Sequence, residues 1–336
     1  MLKFNEQRYL DDAELIRHSR KIAEEIAETV HNQGYSNIFF TAVGGSLAPM
    51  MAIKEIAKQL TTIPVFLEQA GELIALGNKN LNSDSLVITL SKSGDTIESV
   101  KMAEWCKDNK IRVICCTKDK ASPLGQSSNY FIPMLHHDGV EYEYILLYWL
   151  FMKLLNLAGD FDKYQEFAEQ LGKLPEDLVN VKKQFDSTAD ILAKQHFQAP
   201  IQYWIGGSEM WGETYLFSMC ILEEMQWIKT KSVTSSEFFH GTLELIEKDT
   251  SVFLIKGEGK GRVLDERVQD FVEKRSEKFS IIDTAEFELP NISSEFRWLM
   301  APLVCSTCLV DRLAFHFEKY TGHDLDIRRY YRQFSY

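Results

Sequence analysis

The sequence predicts an α/β protein of two tandem domains, each a parallel β-sheet flanked by helices. Three observations lead there. The chain has 336 residues, more than one ordinary core organises and enough for two of about 150 residues. Short apolar runs alternate with amphipathic stretches, the pattern of parallel strands joined by crossover helices. The pattern then repeats. IFFTAVGGSLAPM at 38–50 and IQYWIGGSEMWGE at 201–213 both run a strand into Gly-Gly-Ser and a helix, and DSLVITLSKSGDT at 84–96 finds a counterpart in DTSVFLIKGEGKG at 249–261. Gly206 follows Gly44 by 162 residues and Asp249 follows Asp84 by 165, so two features recur in one order at nearly one spacing.

Taken in order, Asp12 to His31 has helical apolar spacing (Leu15, Ile16, Ile22, Ile26, Val30), closed by Asn32-Gln33-Gly34. Strands are predicted at Asn37–Val43, Pro64–Leu67, Ser85–Leu90, Arg112–Thr117 and Tyr130–Met134, with helices around Pro49–Gln59, Ile97–Asp108 and Ser122–Gln126. Tyr144 to Leu155 is the longest apolar run, but Lys153 interrupts it short of the roughly 18 residues that span a bilayer, and it is predicted as a buried helix. From about Phe161 to His196 the pattern is helical with a polar middle, which suits a connector. The expected organisation is therefore an N-terminal helix over 1–34, a first α/β domain over 35–157, a helical connector over 158–197, and a second α/β domain with a C-terminal tail over 198–336.

Composition narrows the function. The net charge of −12 argues against nucleic acid, whose phosphates are bound by neutralising them with Lys and Arg. The N-terminus lacks the charged-then-apolar pattern of a signal peptide. The six cysteines lie mostly in apolar runs, as reduced core thiols do. These features together predict a cytoplasmic protein whose partner is a small molecule or another protein, not nucleic acid or a membrane.

In open α/β sheets, ligands sit beyond the carboxyl ends of strands, where loops feed helix N-termini. Ser91-Lys92-Ser93-Gly94-Asp95-Thr96 stands at such a place. Unpaired helix N–H groups and a partial positive charge suit an anion. Ser91, Ser93 and Thr96 add hydroxyl donors, Lys92 adds charge, and Gly94 permits a tight turn. A phosphate is the natural occupant, although a helix cap alone would use one of these hydroxyls. The P-loop spacing is absent, which disfavours a nucleoside triphosphate. Gly44-Gly45-Ser46 ends a neighbouring strand, and Gly45 and Ser46 either reach the same ligand or serve as a turn and cap.

The second half carries different chemistry. CILEEMQWIKTKSVTSSEFFHGTLELIE at 220–247 places Glu223 and Glu224 in an apolar helix and His240 in a later strand-and-turn segment. A carboxylate desolvated there has a raised pKa, which suits proton transfer, and histidine is its natural acid or base partner. A solvated helix face for the acids and a turn role for His240 are the alternatives. Cys305-x-x-Cys308 is predicted as core, Gly257-x-Gly259-x-Gly261 as a solvated turn, and His136-His137-Asp138 as no metal site. Asp138, Glu141 and Glu143 form an acidic patch, either a seat for an ammonium group or a solvated helix start.

With these residues in view, the sequence resembles the sugar isomerase (SIS) family, and within it the fructosamine-6-phosphate deglycases. VGGS at 43–46 and LSKSGDT at 90–96 resemble the family's sugar-phosphate loops. The Met-Gln-Trp-Ile helix, the Glu-Phe-Phe-His-Gly segment, VLDERVQDFVEK at 263–274 and the tail DIRRYYRQFSY are similar to the deglycases. The resemblance implies two tandem SIS-type domains, with Glu224 and His240 catalytic. It assigns Gly45, Ser46, Ser91, Lys92, Ser93 and Thr96 to substrate binding, Lys92 standing where relatives carry Gln or His. The implied reaction is hydrolysis of a fructosamine 6-phosphate to glucose 6-phosphate and a free amino acid, with no metal and no cofactor. It also implies at least a homodimer, with the active site at the subunit interface and His240 available to a neighbouring subunit. Aldose–ketose phosphate isomerisation and amino-sugar phosphate deamination use the same acid/base pair, and a non-catalytic sugar-phosphate sensor is the alternative of another class. The tail has no lysine where the related glucosamine-6-phosphate synthase has a catalytic one, which counts against the synthase reaction.

Overall fold

The computed structural model describes residues 1–137 and 139–334; Asp138, Ser335 and Tyr336 lie outside the described residues. The chain forms two compact units, Gln7–Gly172 and Met1–Glu6 with Lys173–Tyr336.

The first unit holds a five-stranded parallel sheet in the order β2-β1-β3-β4-β5, from β1 (Asn37–Ala42), β2 (Val65–Gln69), β3 (Ser85–Leu90), β4 (Arg112–Thr117) and β5 (Tyr130–Pro133). NIFFTA and SLVITL are buried at every position, as expected of central strands covered on both faces, whereas the edge strand VFLEQ is half-buried throughout. Helices Ala48–Leu60, Ile97–Asp108 and Glu141–Ala158 stand close to their expected places. The last buries most of its length and stops where Gly159 takes a left-handed φ of 84°. The N-terminal helix, Glu6–Gln33, is longer than its apolar spacing suggested: it starts with the exposed Glu6, Gln7 and Arg8, and the buried Tyr9 anchors that added turn.

The second unit holds a four-stranded parallel sheet in the order β7-β6-β8-β9, from β6 (Gln202–Ile205), β7 (Thr230–Val233), β8 (Ser251–Lys256) and β9 (Phe279–Asp283). Over four strands this is the order of the first sheet, so the repeat seen in the sequence is a repeat of topology. Helix Tyr164–His196 passes from the first unit into the second at Lys173. Its polar middle is one face only; Leu174, Leu178, Val181 and Phe185 on the other face are buried. Among the described residues, one helical run, Arg297–Thr321, is long and apolar enough to cross a membrane, and 83% of its apolar 18-residue window is buried within the protein. All six cysteines are free, and five, including Cys305 and Cys308, are buried.

Two buried groups make stability depend on pH in opposite senses. Burial, with Glu209 nearby, pushes the Asp265 carboxyl up to about 7. A folded state that holds this proton more tightly than the unfolded chain loses stability as pH rises from about 4 to about 7. Burial pushes His196 down to about 4, between Ser251 Oγ at 2.7 Å and Ser280 Oγ at 2.9 Å, so its contribution rises with pH until about 6.5. Asp265→Asn, which can still accept the Ser235 hydroxyl bond, should therefore raise the melting temperature at pH 8 and leave it nearly unchanged at pH 4. The linkage is on the order of a few kcal/mol, and thermal melts at the two pH values test it.

Candidate functional site

In each sheet the chain reverses direction of strand addition between the first and third strands of the repeat, β1/β3 and β6/β8. Such switch points open a crevice beyond the strand ends, where ligands bind in open α/β folds. In the first unit the flanking loops are the turn Gly44–Leu47 and the segment Ser91–Thr96. The topology therefore brings Gly45 and Ser46 to the same end of the sheet as the hydroxyl-rich loop.

That loop is braced from within. Ser91 is buried; its Oγ accepts from Gly94 N at 3.2 Å and shares a hydrogen bond with Thr96 Oγ1 at 3.0 Å. Gly94 has φ 70°, and a Cβ there would lie 2.3 Å from Ser122 Oγ and 2.7 Å from Thr117 Oγ1. Its carbonyl accepts from Leu124 N at 3.0 Å. Only glycine meets both the backbone and the space. Helix Ile97–Asp108 begins at Thr96 with no side-chain cap. A capping role for these hydroxyls is thus not what the structure shows, and the first-turn N–H groups face the loop. Ser93 and Lys92 are exposed: the Ser93 hydroxyl donates to Asp95, and Lys92 Nζ donates to His137 O at 3.0 Å.

Glu141 and Glu143 lie in the first turn of a helix buried on nearly all sides, so they form neither an open seat for an ammonium nor a solvated helix start. Glu141 accepts from Tyr9 Oη at 2.6 Å, and burial pushes the Glu143 carboxyl up to about 7. Asp138, the third member expected of the patch, lies outside the described residues. His136 is buried beside Glu143, and His137 Nδ1 meets Asp12 Oδ1 at 2.8 Å. No group of three potential metal ligands occurs among the described residues.

The second switch point is built differently. The loop after β6 carries Glu209, which is buried, and the loop after β8 wraps around its carboxylate: Gly259 N donates to Oε1 at 2.8 Å. A Cβ on Gly257 or Gly259 would fall 2.6 or 2.4 Å from that oxygen. The Gly257-x-Gly259-x-Gly261 segment is therefore no solvated turn. It closes on an internal carboxyl group at the position where the first repeat presents its hydroxyl-rich loop. Sequence reading missed this because the carboxylate comes from a strand-end loop 48 residues upstream of Gly257.

Glu224 lies at the other end of the same unit's chemistry. The segment Leu216–Glu223 is π-helical, a widened turn often found at functional sites, and Glu224 is the first residue after it. The helix then closes with Ile228 N donating to Leu222 O at 2.9 Å across Trp227, whose φ is 57°. Glycine normally fills that left-handed position. Of the two readings of these acids, the structure shows the solvated one: Ile221 and Leu222 are buried, while Glu223 and Glu224 reach the surface. Glu223 is exposed and accepts from Thr230 Oγ1 at 2.5 Å. Glu224 is 33% exposed and accepts from Arg328 Nε at 2.8 Å. Both line a cavity of about 550 Å³ shared with Trp227, Lys229 and the tail residues Arg328–Tyr331.

Gln226 explains how the tail reaches Glu224. Its buried amide donates to His323 O and accepts from Thr321 Oγ1, both at 2.6 Å, while the Trp227 ring packs 4.2 Å from that of His323. Gln226, Arg328 and Arg329 were not singled out in the sequence. The available signal was a run of three arginines and two tyrosines at the end of an acidic chain. His240 ends a short 3₁₀ turn, Phe238–His240, and is exposed. It is not among the residues lining the Glu224 cavity.

Comparison with known proteins places the chain in a family. The SIS domain pattern matches residues 33–148. The chain is 30% identical over 307 residues to the fructosamine deglycase FrlB of Bacillus subtilis, covering 89% of this chain and 92% of that protein. It is 23% identical to the fructoselysine 6-phosphate deglycase of Escherichia coli, over 94% and 92% of the two chains. A Bacillus subtilis crystal structure assigned to the phosphosugar isomerases superposes with a TM-score of 0.88 at 28% identity, covering 95% of this chain and 99% of that one. The chain belongs to the SIS domain family, and its two parallel sheets are the family's tandem α/β arrangement.

Proposed function

We propose that the protein is a cytoplasmic deglycase that hydrolyses a fructosamine 6-phosphate, an amino acid joined through its amine to C1 of a phosphorylated ketose, to glucose 6-phosphate and the free amino acid. The observation that carries the reading is Glu224: a carboxylate in an open cavity, fixed in direction by one arginine and left with oxygen capacity for a substrate proton. The relatives that match nearly the whole chain support the same chemistry.

In this reading Ser91, Ser93 and Thr96, with the N-terminus of helix Ile97–Asp108, hold the 6-phosphate, and Gly45, Ser46 and Lys92 contribute beside them. Remote binding of the phosphate supplies orientation for the reacting end. Glu224 removes a proton from C1, giving an enaminol, and returns one to C2, which leaves an imine between C1 and nitrogen. Water adds at C1, the C1–N bond breaks, and the amine leaves with a proton. His240 acts as acid or base at oxygen or nitrogen. Being outside the Glu224 cavity, it is assigned to the site of a neighbouring copy in a homodimer or larger homo-oligomer.

Arg328 positions Glu224 in this scheme. Arg328→Gln removes a charge-assisted hydrogen bond of about 1.5–3 kcal/mol and should lower kcat roughly 10- to 100-fold, with a much smaller change in affinity for fructose 6-phosphate. An equal loss in both would assign Arg328 to binding instead.

The function itself is tested by following glucose 6-phosphate release from ε-fructoselysine 6-phosphate and α-fructosylaspartate 6-phosphate with a coupled dehydrogenase. Release from one much faster than from the other is expected. Silence on both, with fructose 6-phosphate still bound, would point to another conjugate or to a sensor.

A further inference from the structure

The cavity beside Glu224 carries a charge pattern that proton transfer does not require. Its two carboxylates are already matched, Glu223 by Thr230 and Glu224 by Arg328. Its two remaining cations are not. Arg329 and Lys229 line the cavity, and neither side chain makes a hydrogen bond or an ion pair within the described residues. Arg329 is nevertheless held in place: its guanidinium lies 4.1 Å from the Trp227 ring centroid, and Tyr330 flanks it at 5.9 Å. Stacking fixes the plane of a guanidinium while leaving its edge, with its fork of donors, directed outward. Trp227 is itself held in a left-handed backbone position that glycine would ordinarily occupy, so the ring is placed there at a cost in backbone strain. A cavity of this size suits a small organic group.

The geometry points to this cavity as the seat of the amino-acid portion of the conjugate, with Arg329 receiving a free carboxylate on it. The inference rests on the deglycase reading and deepens it: the substrates are conjugates of amino acids, distinguished from conjugates of simple amines by the carboxylate. A sugar phosphate offers the same anionic oxygens, and the test separates the two sources.

Two substrate pairs share one phosphosugar and differ only in the carboxylate: ε-fructoselysine 6-phosphate against the cadaverine conjugate, and α-fructosylalanine 6-phosphate against the ethylamine conjugate. The wild-type protein should prefer the carboxylate member of at least one pair by 10-fold or more in kcat/KM, about the worth of one charge-assisted hydrogen bond. In Arg329→Ala that ratio should collapse towards one, and Arg329→Lys should restore part of it. Turnover without preference in either pair overturns the inference and leaves the deglycase reading standing. A preference that survives Arg329→Ala, or equal slowing of both members as a phosphate contact would give, overturns it as well. Turnover of none of the four overturns the inference, and the deglycase reading falls with it only if α-fructosylaspartate 6-phosphate is silent too.

Discussion

Glu224→Gln should abolish glucose 6-phosphate release, with kcat falling by about 10³-fold or more, while the protein still folds and binds fructose 6-phosphate with unchanged affinity. The amide keeps an oxygen for Arg328 Nε, so the tail stays anchored, and Gln226 and Trp227 hold it independently. What is lost is a group that can take a proton. General base catalysis contributes about 10²- to 10⁴-fold, and here one carboxylate is asked to serve two successive proton transfers. Steady-state turnover beside a calorimetric titration separates chemistry from binding. A variant that keeps kcat within tenfold of wild type removes Glu224 from the role.

The second large effect is expected at Gly94. Gly94→Ala places a methyl group where φ is 70° and where Ser122 Oγ stands 2.3 Å away. The backbone alone costs about 1–2 kcal/mol, and the close approach forces the loop to shift. Since Gly94 N bonds Ser91 Oγ and Gly94 O accepts from Leu124, a shift there displaces Ser91 and the approach to Thr96 together. Loss of one or two hydrogen bonds to a phosphate should raise KM by about 10- to 1000-fold, with a smaller change in kcat. Fructose 6-phosphate affinity measures it directly, and an unchanged dissociation constant would place the phosphate elsewhere.

The fold was largely legible because its signals are local and repeated. Ser85–Leu90, Arg112–Thr117 and Ile97–Asp108 have the bounds that their apolar spacing suggested. The two-strand offset of the repeat became a common strand order. The hydroxyl-rich loop was legible for the same reason: Ser91, Gly94 and Thr96 are neighbours in sequence and in space. Burial was harder to read. Glu223 and Glu224 sit among apolar residues in sequence yet face an open cavity, because a helix turns its polar and apolar positions to opposite sides. Glu141 and Glu143, at the start of a helix, read as either an ammonium seat or a solvated helix start and are buried instead. Least legible were partners far apart along the chain. Arg328 is 104 residues from Glu224, and Glu209 is 50 from Gly259. No spacing rule reaches across such distances; only the fold brings them together. The π-helical turn before Glu224 left no mark in LFSMCILE that apolar periodicity distinguishes from an ordinary helix.

The most direct test of the deglycase account offers the protein three phosphosugars separately: a fructosamine 6-phosphate, fructose 6-phosphate and glucosamine 6-phosphate. Product analysis follows glucose 6-phosphate, free amino acid and ammonia. The account predicts glucose 6-phosphate and amino acid in equal amounts from the first and no comparable turnover of the other two. Isomerisation of fructose 6-phosphate, or ammonia from glucosamine 6-phosphate, with no amino acid released from the conjugate, would contradict it.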